Sequence, residues 1–369
     1  MNQLFRWDQM GLFLLALAAG ILPFAVPEVC AAALREGLTL CSGPLLLSLF
    51  PFLVVSRLLI QCPESDLLAL PFRLAAWGIG IRTPCAARVL CIGFLGGFAP
   101  AASAAAQAVR TGQLTAEEAD ALLPACICSG PSFVVLTVGQ SLLGSAELGV
   151  LLFASQITAN YLTAALLNRF AGVRSVKLGS AAPASPAPPR LDEILADAAI
   201  TYCKLCGFIL FFRMLAAGAG ALLPADAGTL CSILLEVCSG CDLASRTGRW
   251  GSLLCCAALS VQGLSVLLQV RTICPPEMTL RPLYRARMLH LPLSLALFYL
   301  LLPGGEADVF STLPARVLLM RRVPPDCALL VFAVCCMAAC TLRSGIRQVE
   351  QKQMARNAGG CCINSKTLL

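Results

Sequence analysis

Charged side chains set inside apolar runs are the residues of this chain that can do chemistry. Glu236 is the sole charge between Thr229 and Cys241, with Asp226 just before that stretch and Asp242 just after it. An ionisable group at membrane depth is costly, and its default reading is a functional site. The competing reading is a carboxylate near the interface or paired with an arginine. Arg57 and Arg213 are the two deep cations. Either can neutralise Glu236, or offer a carboxylate-bearing substrate a two-pronged partner. Small polar residues beside glycine complete the expected substrate- or ion-binding set: Gly97, Ser103, Ser129, Gly130, Ser239, Gly240, Gln262, Gly263, Ser265 and Gln269. A helix broken at such residues leaves free N–H and C=O groups, and its end dipoles hold ions or polar solutes. The same residues also serve plain close packing of helices. No cofactor is expected beyond Na⁺ or H⁺ as a coupling ion.

The elements that must position these residues follow from composition. The chain has 369 residues, is 58% hydrophobic and 13% charged, and has a mean hydropathy of +0.81. Long Leu/Ala-rich runs without strand alternation make it all-α, a polytopic membrane protein rather than a β-barrel. About 8–10 transmembrane or re-entrant helices are expected, in two pseudo-repeated halves with discontinuous helices. The net charge of +7 sits in loops and tail, as the positive-inside bias requires, so no nucleic-acid partner is expected. Membrane lipids and a small polar or anionic solute are the expected partners. No Ser/His/Asp set, P-loop or metal cluster appears, so no enzyme is expected. The sole histidine, His290, lies at a span entrance beside Pro292, where an interfacial or packed role is expected rather than catalysis. The 21 cysteines are mostly small hydrophobes within apolar runs. Cys203 and Cys206 form a lone CxxC without partner ligands, and Cys361-Cys362 in the tail is open to lipidation. Apolar segments recur along the chain, so no cleavable signal peptide is expected.

Four parts are expected. Residues 1–171 form a first membrane half, 172–190 a Pro/Ala/Ser linker, 191–342 a second half, and 343–369 a basic cytoplasmic tail. The first half opens with a span over 11–33, bent near Pro23 and Pro27, and a second over 40–60, broken at Pro44 and Pro51. Residues 67–81 are too short to cross and read as an interfacial amphipathic helix. Gly93, Gly96, Gly97 and Pro100 predict an unwound point before the closely packed Ala/Ser run. Thr115 and Glu118 predict a capping box. The helix they start breaks at Ser129-Gly130-Pro131 and continues over 133–143, and 148–170 is an ordinary span. In the second half, 251–270 is a span with Gln262-Gly263 at its middle. Residues 271–287 read as a basic loop, and 288–302 and 323–342 as the last spans.

Residues 229–241 are too few for a crossing, which takes about 20, and read as a re-entrant or broken helix. Loop charge agrees. With the linker and tail cytoplasmic, re-entry puts residues 271–287 inside and the acidic Glu306 and Asp308 outside, whereas a full crossing reverses both. Each half thus carries a Gly-broken helix and a Cys-Ser-Gly break, Cys128-Ser129-Gly130 and Cys238-Ser239-Gly240.

Several ordered motifs together resemble the sporulation integral membrane protein YlbJ family, whose members carry the nucleoside-recognition gate domain. They are Leu49-Phe50-Pro51-Phe52, Gly93-Phe94-Leu95-Gly96-Gly97-Phe98, Gly112-Gln113-Leu114-Thr115 with Glu118-Ala119, Ser129-Gly130-Pro131-Ser132-Phe133, Leu235-Glu236-Val237-Cys238-Ser239-Gly240 and Gly263-Leu264-Ser265-Val266-Leu267-Leu268-Gln269. The resemblance covers roughly residues 35–300. It implies a likeness to the gated halves of concentrative nucleoside transporters, a place in the bacterial cell membrane (the outer forespore membrane during sporulation), and dipicolinate as the solute. The chain departs from the family at three places. Gly-Tyr-Pro-x-Gly-Ala is replaced by Gly97-Phe98-Ala99-Pro100-Ala101-Ala102, Ser-Asn-Pro by Ser129-Gly130-Pro131, and a glutamate by Arg57. The expected function is transport of a small polar or anionic solute. The alternative is a non-transporting membrane scaffold in spore or envelope assembly.

Overall fold

The structure is a computed structural model that describes residues 2–61, 63–171 and 191–302. The linker 172–190, the acidic residues 304–308, the expected span 323–342 and the tail lie outside the described residues. Among those residues the secondary structure is entirely helical. Three helical stretches there are long and apolar enough to cross a membrane: Ala146–Ala171, Leu191–Leu222 and Gly248–Ile273. A fourth counts if the bent pair at the N-terminal end is one span. Large apolar side chains such as Phe24, Phe170 and Leu300 stand exposed. Such an apolar exterior suits contact with lipid tails. The chain is a helical membrane protein.

That bent pair is α1 (Asn2–Ala25) and α2 (Pro27–Ser42), and the two meet at 110°. The expected single span over 11–33 is therefore two helices. Pro27 lacks an N–H and pushes the residue before it out of helical geometry. Val26 accordingly has φ −139° and ψ 64°. Pro23, by contrast, sits inside α1. Helix α3 (Pro44–Gln61) starts after Gly43 and absorbs Pro51. Helix α4 (Leu70–Gly78) leaves Leu70, Leu74 and Trp77 exposed. That spacing of four and three is one apolar stripe, as an interfacial helix needs.

Two helical hairpins follow, each succeeded by a helical stretch with a break in it. Helices α5 (Pro84–Gly96) and α6 (Phe98–Arg110) join at Gly97, whose φ is +81°. A Cβ on Gly93 would lie 3.2 Å from the Ala101 Cβ, so the chain folds back on itself at Gly97. Helix α7 (Ala116–Cys126) opens with the expected capping box: Glu118 N–H donates to Thr115 Oγ1 (3.1 Å) and Thr115 N–H to Glu118 Oε2 (3.2 Å). The helix stops before Ile127. The chain resumes as a π-helix over Ser132–Leu142, a wider winding that is rare at this length and frequent at functional sites. Helix α8 (Ala146–Ala171) buries Gln156 and Asn160 on one face.

Helix α9 (Leu191–Leu222) leads to α10 (Ala225–Leu235) and α11 (Val237–Ser245). Those two fold back about Glu236, because a Cβ on Gly240 would lie 2.8 Å from the Ile233 Cα. The expected break at Cys238-Ser239-Gly240 is displaced. Those residues are helical, and the extended residue is Glu236 (φ −151°, ψ 126°). Helices α12 (Gly251–Val261) and α13 (Gly263–Ile273) are divided at Gln262, which is left-handed with φ +63°.

Helix α14 (Arg281–Leu301) overturns the expected basic loop over 271–287. Only residues 274–280 lie between helices, and Arg281, Arg285 and Arg287 are helical. The short connection is held by Asp120, which accepts from Thr279 N–H (2.8 Å), Thr279 Oγ1 (2.7 Å) and Leu280 N–H (3.1 Å). Helix α9 packs directly on α2: a Cβ on Gly37 would meet Leu210, and the Tyr202 hydroxyl donates to the Cys41 carbonyl.

Candidate functional site

Each hairpin tip presses on the break of the span that follows it. A Cβ on Gly97 would lie 2.7 Å from the Gly130 nitrogen, and one on Gly263 would lie 2.9 Å from the Glu236 nitrogen. The tips at Gly97 and Glu236 and the breaks at Ser129-Gly130 and Gln262-Gly263 thereby converge.

A cavity of about 60 Å³ lies at that convergence. Gly96, Phe98, Ser129, Gly130, Glu236, Cys238, Val266 and Gln269 line it, with Leu45 and Leu49 of α3 and Ile209 of α9. One water needs roughly 10–15 Å³ of such space, so the cavity holds a few waters or one small ion.

Glu236 is 2% exposed. Its Oε1 accepts from Cys238 N–H at 2.8 Å and its Oε2 from Ser239 N–H at 2.7 Å. The carboxylate is therefore the N-cap of α11, and its charge faces the positive end of that helix. An extended backbone at 236 is what lets the side chain curl back over the first turn. Each oxygen keeps a second lone pair, since a carboxylate has about four acceptor sites.

The other expected residues divide into two groups. Gly97, Gly130, Ser129, Gln262, Gly263 and Gln269 sit at the tips, the breaks or the cavity wall. Gln269 Nε2 donates to Ser265 Oγ at 2.9 Å, and Gln269 Oε1 is buried with no hydrogen-bond partner among the described residues. Gln262 Oε1 and Ser103 Oγ are buried and unpartnered as well, though neither residue lines the cavity. Ser239 and Gly240 belong to the first turn of α11. Neither arginine forms an ion pair with Glu236 among the described residues, although Arg213 lies near enough to interact with it electrostatically. Arg57 pairs with Asp197 at 2.5 Å, and Arg213 with Glu36 at 2.8 Å. Neither lines the cavity, and the direct hydrogen bonds to Glu236 come from the α11 terminus.

Arg287 is the residue that sequence reasoning missed. It is buried, and it donates to the carbonyls of Ile127 (2.6 Å) and Ser260 (3.4 Å). Those carbonyls end α7 and lie in the last turn of α12, where backbone acceptors are freed and the helix dipole is negative. The guanidinium thus serves both broken spans at once. Around it, Gln156 donates to Ser260 Oγ (2.9 Å), Ser260 and Ser294 share a hydrogen bond, and His290 Nε2 meets the Gln156 carbonyl (3.2 Å). His290 therefore takes the packed of its two expected roles, within α14 rather than at a span entrance. The spacing of Arg287, His290 and Ser294 by three and four marks one polar helix face. That periodicity is the signal by which they could have been found.

Arg287→Met is expected to cost about 2–5 kcal/mol, because a buried carbonyl left without a donor costs roughly 1–3 kcal/mol. Chemical denaturation of the purified protein checks this. An unchanged midpoint would show that the two carbonyls find other donors.

No family model, no curated protein and no solved structure matches this chain.

Proposed function

We propose that the protein is a transporter of a small polar solute or ion, with its site in the central cavity. One observation carries this reading: Ser129, Glu236 and Gln269, from three separate segments, line one cavity where two hairpin tips meet two span breaks. Irregular backbone at membrane depth is tolerated where it is buried in protein or lines a cavity. Paired discontinuous helices around a central site are the architecture of alternating-access transporters.

The order of elements supports reading the two sets as repeats. The hairpin α5–α6 precedes the broken span of α7 and the π-helix, and the hairpin α10–α11 precedes the broken span α12–α13. In both, a tip touches the break that follows. Movement of one set against the other would open the cavity alternately to each side.

Charge and size narrow the cargo. Among the described residues the cavity wall carries one carboxylate and no cation, which favours a coupling cation such as Na⁺, or a proton. In this conformation an aromatic dicarboxylate does not fit, so dipicolinate requires the two sets to part. The proposals of dipicolinate and of a role in spore formation rest on the family resemblance alone.

Uptake of radiolabelled Na⁺, a nucleoside and dipicolinate into proteoliposomes tests the reading. At least one is expected to accumulate above protein-free vesicles. A protein that inserts and folds yet moves none of them returns the molecule to a scaffold role.

A further inference from the structure

We infer that the cleft between α3, α6, α9 and α13 is an anion site that takes a phosphate group, separate from the central cavity and independent of the transport reading. The cleft has a volume of about 320 Å³, and Arg57, Arg110 and Lys204 line it together with Asp197. Three cations against one carboxylate leave two positive charges. The C-terminal ends of α6 and α13 border it, and each returns roughly half a negative charge. The remainder is about one positive charge, which a singly charged phosphate group balances.

Arg57 is the built element of the site. Its side chain is 10% exposed, and it is oriented by Asp197 (2.5 Å) and by Thr201 Oγ1 (3.3 Å), while its Nε is buried with no hydrogen-bond partner among the described residues. Arg110 reaches only Gln107 Oε1, at 3.4 Å, and among the described residues neither Arg110 nor Lys204 has a carboxylate partner. Two guanidinium groups and one ammonium group gathered around a single carboxylate are under-neutralised, and they match phosphate oxygens in both charge and donor geometry.

Depth fits a phosphate at the membrane boundary. Helix α9 has 32 residues and is about 48 Å long, against about 30 Å of hydrocarbon. Some six residues therefore project at each end, which puts Asp197 at the boundary and Thr201 and Lys204 one to two turns inside it, where a long side chain such as that of Lys204 extends toward the headgroups. A lipid headgroup and a free phosphate offer the same oxyanion there.

The test uses the full chain in nanodiscs of two compositions. In pure phosphatidylcholine discs, inorganic phosphate is titrated against chloride at equal ionic strength. In the second set, phosphatidylglycerol replaces part of the lipid, and retained lipid is counted by native mass spectrometry. A saturable rise in unfolding temperature with phosphate assigns a soluble anion. Retention of phosphatidylglycerol with no phosphate effect assigns a headgroup. Either supports the site, provided that R110Q/K204Q, which changes two exposed side chains, weakens binding at least tenfold. D197N removes the one carboxylate and is expected to tighten binding severalfold, an effect that loss of structure does not produce. If D197N fails to fold, the double variant still decides. No response to either anion, or an equal response in R110Q/K204Q, overturns the site.

Discussion

Gly263→Ala is expected to be among the most damaging single-atom additions in the chain, with Gly97→Ala beside it. At Gly263 φ is +67°, and a new Cβ would lie 2.9 Å from Glu236 N, Leu235 C and Leu235 O. At Gly97 φ is +81°, and the Cβ would lie 2.7 Å from Gly130 N. All of these neighbours are backbone atoms, which cannot swing aside as a side-chain end can. Left-handed backbone costs a non-glycine residue roughly 1–2 kcal/mol, and overpacking adds about 1–3 kcal/mol. Each substitution should therefore lower stability by about 2–5 kcal/mol and push a tip away from its break. Gly112→Ala is the internal control. Its φ is +69°, yet nothing lies within 4 Å of its Cβ, so only the backbone term of about 1–2 kcal/mol applies. Denaturation midpoints of the three variants in detergent separate the two effects. Equal losses at all three would mean that the tip-to-break contacts contribute nothing.

What the sequence disclosed and what it hid divide along a physical line. Local devices were legible. Glycines at 96 and 97 predicted the unwound point, Thr115 and Glu118 the capping box, and the shortness of 229–241 a chain that turns back. Each depends on residues within a turn or two of one another. Partners across the fold were not legible. Arg57 and Arg213 looked like candidates for Glu236 because they were the cations in apolar runs, but Asp197 and Glu36 lie opposite them on packed helices. The break near Glu236 was misplaced onto Ser239-Gly240 because glycine reads as a breaker, whereas an N-capping side chain performed that task. The stretch 271–287 read as loop because Pro275, Pro276 and Pro282 accompany its arginines. Pro282 in fact occupies the first turn of α14, where a missing N–H costs nothing. Arg287 thereby passed for a loop charge although it is buried between two helix ends.

Glu236→Gln is expected to abolish transport while leaving a protein that inserts and folds. The amide keeps one oxygen and so satisfies one of the two N–H donors at Cys238 and Ser239, but it turns an NH₂ toward the other. That loss, together with the lost interaction with the α11 terminus, costs about 1–3 kcal/mol, which the rest of the fold should tolerate. Function should suffer far more. The substitution removes the carboxylate from a cavity whose other polar side chains among the described residues include Ser129, Ser132 and Gln269, and with it the charge that would hold a cation. Gln269→Leu separates the two contributions. It deletes a neutral acceptor and keeps the cap, so coupling-ion affinity should fall while α11 stays in place. A Glu236→Gln fall in uptake of at least tenfold, with a circular-dichroism spectrum and elution profile like wild type, fits a cation held at this carboxylate. Unimpaired uptake by Glu236→Gln would reduce Glu236 to the helix cap that its two hydrogen bonds already describe, and would move the search for the transported species to the unpartnered amide at Gln269.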